Sequence, residues 1–260
     1  TVNEVGMATV TAIDQHMTDN TASSLVIVSY PSRVIQDEQY IALGDTPKFN
    51  PILFDKDNKN YNYFEEVNWE IKGDWSTVGR KEVTLKYHDF TFIAIVHVCP
   101  PLSIVPERAL LPINYNGFPL TVSGGSGDYT YKIESPTILN YQNGHVNTLN
   151  YGKSRIIFND KRIPRFSISA EIEVSRIGLI DIQLEYRETI DRPFQPVCEV
   201  FATEKRKFSV DVPFKVKSSN VNVVSGNMFP VSTGFSDIYC ESGESQSEHL
   251  KVSVATNFKA

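Results

Sequence analysis

The chain has 260 residues, a formal net charge of −6 and 41% hydrophobic residues, among them 12 tyrosines and 15 phenylalanines. The acidic balance argues against a nucleic-acid binder, which needs a basic face to neutralise phosphate. The length exceeds one β-sandwich of about 100 residues and predicts several domains.

No membrane span is expected, because the longest apolar run, Phe92 to Cys99, is interrupted by His97 and falls far short of the roughly 20 residues a spanning helix needs. The opening TVNEVGM has neither the basic start nor the apolar centre of a leader.

Residues 1–31 are expected to be the closing strands of a truncated immunoglobulin-like domain. Met7 to Ile13 reads as a strand, Asp14 to Asn20 as a polar turn, and Ala22, Ser24, Val26 and Val28 as a period-two face ended by Pro31. Residues 32–103 are expected to form an immunoglobulin-like domain. Leu43-Gly44-Asp45 makes a turn, Phe49 to Phe54 is extended, and Asp55 to Asn60 turns again. Phe64, Val67, Trp69 and Ile71 follow, and Val83, Leu85 and Tyr87 alternate up to a break at His88-Asp89. Phe90 to Val98 is almost continuously apolar and predicts a strand buried on both faces or at an interface. Pro100-Pro101 then forms a stiff boundary.

Residues 104–176 read as a complete repeat. Phe118, Leu120 and Val122 alternate, Ser123 to Gly127 turns the chain, and Tyr129, Tyr131 and Ile133 alternate again. Val146 and Leu149 lead to Gly152 and the strand Arg155 to Phe158. After a turn at Asn159-Asp160, Ile168, Ala170, Ile172 and Val174 keep strict period two. This closing stretch matches the start of the chain: 146 positions separate Gly6 from Gly152, Asp14 from Asp160, and the face Ala22 to Val28 from Ile168 to Val174. An ungapped echo of that size is an internal repeat and implies an array.

Residues 177–260 are expected to be a further immunoglobulin-like domain, complete or truncated. Ile180, Ile182 and Leu184 alternate, and Pro193 and Pro196 precede Cys198. Phe208, Val210, Val212, Phe214 and Val216 form the cleanest period-two face in the chain, and Pro213 places that strand at a sheet edge or bulge. Leu250 to Val254 is a last strand. The predicted fold is all-β: tandem immunoglobulin-like β-sandwich domains, with no helix of standard length.

Chemistry is not legible. The glycines of Ser123 to Gly127 suit a phosphate cradle only if a helix follows; Tyr129 to Tyr131 continue as a strand, so a tight inter-strand turn is expected. Asp55-Lys56-Asp57-Asn58 begins like a calcium loop but lacks its glycine and terminal glutamate, so a hairpin turn is expected. His16, His88, His97, His145 and His249 show no metal-ligand spacing. Trp69 alternates with core residues, Trp75 after Gly73-Asp74 is expected at the surface, and Lys205-Arg206-Lys207 reads as a solvated turn. Cys198 and Cys240 pair in an oxidising compartment, leaving Cys99 odd, or all three stay thiols. There is no Asn-x-Ser/Thr acceptor. No catalytic, cofactor-binding or metal residue is nominated; the chain reads as a non-enzyme without a small-molecule substrate.

Leu120-Thr121-Val122-Ser123-Gly124-Gly125-Ser126-Gly127-Asp128-Tyr129, with Asn143 to Thr148, Gly152-Lys153-Ser154 and the two closing stretches, resembles the bacterial Ig-like repeat. The order of pieces, including Leu43-Gly44-Asp45 through Phe54-Asp55 to Tyr63-Phe64, is similar to the luminal region of the large pore-membrane glycoprotein family of the nuclear pore complex. That resemblance implies a scaffold on the luminal side of the nuclear envelope. Its copies and adjacent Ig-like domains would self-associate around the pore, with other pore-membrane proteins as further partners and no catalytic residue to carry over. The alternative is an adhesin-type binding module at the extracellular surface.

Overall fold

The computed structural model describes residues 6–29, 31–49, 51–60, 70–87, 90–186, 194–224 and 226–254. Every regular element among them is a strand. The chain is all-β, built of tandem immunoglobulin-like β-sandwiches. The predicted positions Phe64, Val67 and Trp69, the break at His88-Asp89, and Pro193 lie outside the described residues. The chain divides into two compact units, one of residues 1–101 with 124–126, the other of 102–123 with 127–260.

In the first unit, β1 (Gly6–Ile13) pairs antiparallel with β2 (Thr21–Val28) in a two-stranded sheet. Then come β3 (Arg33–Ile35), β4 (Gln39–Ala42), β5 (Ile52–Phe54), β6 (Glu70–Lys72), β7 (Gly79–Tyr87) and β8 (Phe90–Cys99). One sheet has the order β4-β8-β7-β6, with β4 parallel to β8; β3 pairs with β5. Val83, Leu85, Ala94 and Val96 form the core, backed by Ile41, Phe49, Trp75 and Phe92.

Two expectations change here. β8 is not buried on both faces: Ala94, Val96 and Val98 are buried, Ile95 and His97 between them are half-buried, and Ile93 on the same outer face is 64% exposed. The sheet packs on one side only, so a continuously apolar strand still points alternate residues outward. Trp75 is half-buried against the core and lies over Gly73, where a Cβ would sit 2.4 Å from its ring. Glycine makes room for the indole, which no periodicity reports.

The second unit opens with β9 (Ser103–Val105), β10 (Arg108–Pro112), β11 (Phe118–Pro119), β12 (Thr121–Ser123), β13 (Tyr129–Ile133), β14 (Leu139–Gln142), β15 (His145–Thr148), β16 (Gly152–Asp160) and β17 (Ser167–Ser175). A four-stranded sheet β10-β17-β16-β13 faces the smaller sheet β11-β15-β14. Ser154, Ile156, Phe158 and Asp160 alternate inward in phase with Ala170, Ile172 and Val174, and close on Leu111, Leu120, Leu139 and Val146. The alternation seen in the sequence is therefore the core face of a sheet.

The remaining strands are β18 (Ile177–Tyr186), β19 (Phe194–Ala202), β20 (Lys215–Lys217), β21 (Val221–Val224), β22 (Asn227–Pro230), β23 (Gly234–Ser242), β24 (Ser245–Gln246) and β25 (Leu250–Val254). β18 pairs with β19, and β23 pairs with β20, β24 and β25. Ile180, Ile182, Val200, Ala202, Ile238 and Cys240 pack between these sheets, and a disulfide joins Cys198 to Cys240 across a separation of 42 residues. Cys99 is a buried thiol.

The predicted strand over Phe208 to Val216 shrinks to β20. Phe208 and Val212 are buried as the alternation demands, but Phe214 is exposed. The segment is extended without a ladder of its own.

Candidate functional site

The ladder-free segment Phe208–Phe214 crosses between two sandwiches of the second unit. Ser209 donates its amide to the Leu110 carbonyl at 2.8 Å, and its hydroxyl accepts the Leu110 amide at 2.9 Å. One serine thus satisfies both backbone groups of a residue on edge strand β10, which would otherwise be an open template for pairing. Successive side chains of β10 point to opposite faces. Ala109 and Leu111 enter the core of the 104–176 sandwich, and Leu110 enters the core that holds Ile180 and Ile238. Val210 packs against both cores. The run Ala109-Leu110-Leu111 is continuously apolar because it serves two interiors.

A charged layer lies beside this joint. Arg206 grips both carboxylate oxygens of Glu173 on β17, one of them at 3.0 Å, and also reaches Glu204 at 2.9 Å. Lys153 approaches Glu173 from β16 at 3.2 Å. The Arg206 guanidinium, with help from Lys153, holds the Glu173 carboxyl below its usual range, and Glu173 in turn raises Arg206. A two-point guanidinium–carboxylate contact fixes orientation as well as distance.

Around the corner, a cleft of about 820 Å³ opens between Asn114, Tyr115, Tyr151, Arg176, Pro213 and Glu244. Arg176 donates to the Tyr151 hydroxyl at 3.4 Å, which raises the arginine pKa, and its guanidinium lies 5.5 Å from the ring centre. The floor is tied by Ser245 to the Ile177 carbonyl at 3.3 Å. These groups offer a guanidinium, a phenol and backbone polar atoms; they include no nucleophile paired with a base.

The other residues weighed from the sequence serve local structure. Gly124, Gly125 and Gly127 all take positive φ in the turn between β12 and β13, as an inter-strand turn requires. The Asp55 carboxylate accepts the amides of Asp57 at 2.8 Å and Lys59 at 2.9 Å, and Asn58 has φ 65°, which makes the segment a capped hairpin turn. His97 meets Glu38 at 2.8 Å and stacks on Tyr40. His145 bonds the Asn143 carbonyl of its own turn, and His249 stacks on Tyr239. His16 sits in the β1–β2 turn, and His88 lies outside the described residues. Among the described residues no three His, Cys, Asp or Glu side chains converge, and no helix is long and apolar enough to cross a membrane.

The basic cluster is more than a solvated turn. Lys205 takes φ 58° and Lys207 pairs with Glu199, but Arg206 clamps the neighbouring sandwich. Sequence reasoning missed Arg206, Glu173 and Ser209. Their only trace was the unalternated apolar run Ala109-Leu110-Leu111 in β10.

No known protein family and no curated protein matches the chain. Among solved structures it is similar to invasin, a bacterial integrin-binding protein, with 12% identity and a TM-score of 0.36, over 70% of this chain and 48% of that one. Domains 1–6 of the surface-layer protein SbsC align at 12% identity and a TM-score of 0.29, over 99% of this chain and 46% of that one. The N-terminal eight Ig domains of Down Syndrome Cell Adhesion Molecule align at 8% identity and 0.27, over 97% and 41%. The chain spans about half the length of invasin.

Proposed function

We propose that the chain is a segment of a tandem Ig-like array that works without catalysis, as a structural and adhesive module at the extracellular surface. The observation that carries this is the shared strand β10, whose alternate residues fill two neighbouring cores while Ser209 and Arg206 fasten the joint. Two sandwiches joined through one strand hold a fixed geometry, which suits a module that presents surfaces at a set spacing. The Cys198–Cys240 disulfide supports placement in an oxidising compartment.

A second reading rests on the GGSG-aromatic motif: a scaffold of the luminal ring at the nuclear pore, self-associating with other copies and with other pore-membrane proteins. The lumen is also oxidising, so the disulfide suits both. Labelling of intact cells with a membrane-impermeant amine reagent separates them. The surface module is labelled on intact cells; confinement of a tagged chain to the nuclear rim, out of reach of the reagent, overturns it in favour of the pore scaffold.

A further inference from the structure

The cleft beside Tyr151 has two walls, and main-chain atoms fasten both. On one side β15 holds the loop from Pro112 to Gly117. The Thr148 hydroxyl, in a residue only 2% exposed, donates to the Pro112 carbonyl at 2.8 Å and accepts the Tyr115 amide at 2.8 Å. The Thr148 amide returns to the Tyr115 carbonyl at 2.9 Å, and Asn147 accepts the Gly117 amide at 2.9 Å. Asn114 takes φ 60°, a conformation asparagine tolerates better than most residues. Both Asn114 and Asn116 line the cleft and are exposed. On the other side Ser242 donates to the Pro213 carbonyl and lies opposite Ser245 where β23 turns into β24. Arg176 is the single residue between β17 and β18, so the joint of the two sandwiches sets where its side chain begins.

The charges of the lining cancel. Arg176 is its only cation and Glu244 its only acid. The Tyr151 hydroxyl does most to raise the Arg176 pKa, and the Glu244 carboxylate adds to it. Beside that pair stand the two asparagine amides, each donor and acceptor at once. The hydroxyls of Ser242 and Ser245 give their protons to main-chain carbonyls and remain acceptors. Tyr151 is 46% exposed and supplies an aromatic surface.

We infer that this cleft is a binding site for a short neutral oligosaccharide. A sugar hydroxyl both donates and accepts, and the lining offers both functions without net charge. An ionic ligand would be drawn to one member of the Arg176–Glu244 pair and repelled by the other. A peptide is anchored by apolar pockets or by main-chain bonds to a sheet edge, whereas the exposed lining here is guanidinium, carboxylate, amide and phenol. Arg176 and Glu244 serve neighbouring hydroxyls as donor and acceptor, and the exposed part of the Tyr151 ring covers a C–H face of the sugar. The volume of about 820 Å³ lies within the roughly 300–1,000 Å³ of small-ligand sites, which favour domain junctions. Walls fixed in advance reduce the ordering cost of binding.

The site rests on the adhesive reading above and gives that module a ligand class. Retention of the purified chain on an array of neutral, sialylated and sulfated oligosaccharides tests it. Binding to neutral oligosaccharides is expected, at least tenfold weaker with Arg176→Ala and with Glu244→Ala. Lys132→Ala, at an exposed position of β13, should leave it unchanged. Glu244 is exposed, and an unaltered urea midpoint for its variant separates a lost contact from a lost fold. No retention on any neutral oligosaccharide, retention only on sialylated or sulfated ones, or retention indifferent to both substitutions overturns the inference. A surface-labelled chain that retains no glycan leaves the proposed function standing. A chain confined to the nuclear rim overturns that function whatever the array shows.

Discussion

Gly152 lies directly opposite Val174 where β16 and β17 begin their pairing, and the same glycine–valine pair recurs at Gly79 and Val98, at Gly234 and Val254, and at Gly6 and Val28. Gly79, Gly152 and Gly234 take φ of 132°, 132° and 142°, a region open only to glycine. The pair marks the entry to an antiparallel strand pair that recurs four times among the described residues, three times as a hairpin and once, at β23 and β25, with β24 between the two strands.

Gly152→Ala is expected to destabilise the second unit by about 1–3 kcal/mol, the usual cost of such a backbone state. The new Cβ would also lie 2.8 Å from Ile138. Gly6→Ala meets nothing within 4 Å and shows no such φ, so urea titrations of the two variants should separate them clearly.

Ser209→Ala removes the acceptor for the Leu110 amide on β10. Leaving a buried amide without a partner costs about 1–3 kcal/mol, and the Leu110 amide should exchange faster with solvent. Ser209→Thr keeps the hydroxyl and should restore most of the protection.

Removing the disulfide by Cys198→Ser with Cys240→Ser frees a loop spanning 42 residues. Chain-entropy arithmetic for that length gives a loss of about 4 kcal/mol, read as a lower urea midpoint with the slope rising as the unfolded chain expands.

The Glu173–Arg206 contact carries a pH signature. Glu173 has a folded pKa below its ordinary 4.5, so its contribution is complete above that value and is lost as pH falls through the lowered one. Wild type and Glu173→Gln should differ in urea midpoint at pH 7 and converge in strong acid. A difference that persists at the lowest pH would show that packing, not charge, joins the two elements.

Strands and turns were legible because one-sided sheets impose period two on the sequence, as in Ile168 to Val174. The 146-residue echo was visible because both hairpins carry the same Asp-capped turn. The intermediate copy at Gly79–Val98, 73 residues from each flanking glycine, was not: three fewer residues separate its glycine from its valine, and an ungapped comparison slips. Phe208 to Val216 kept period two without a ladder because Ser209 binds another strand's backbone. The Arg206–Glu173 clamp joins residues 33 apart through tertiary placement alone, and neither charge has a local signal for the other. The cleft at Tyr151 and Arg176 was invisible for the same reason.

Hydrogen exchange of the whole 260-residue chain, followed peptide by peptide, tests most directly that one hairpin module recurs and is protected where a parallel strand covers it. Amides of β8 and β17, each covered by a parallel strand, are predicted to exchange at least a hundredfold more slowly than those of β2. Equal protection in β2 and β17, or an unprotected β8, would contradict it.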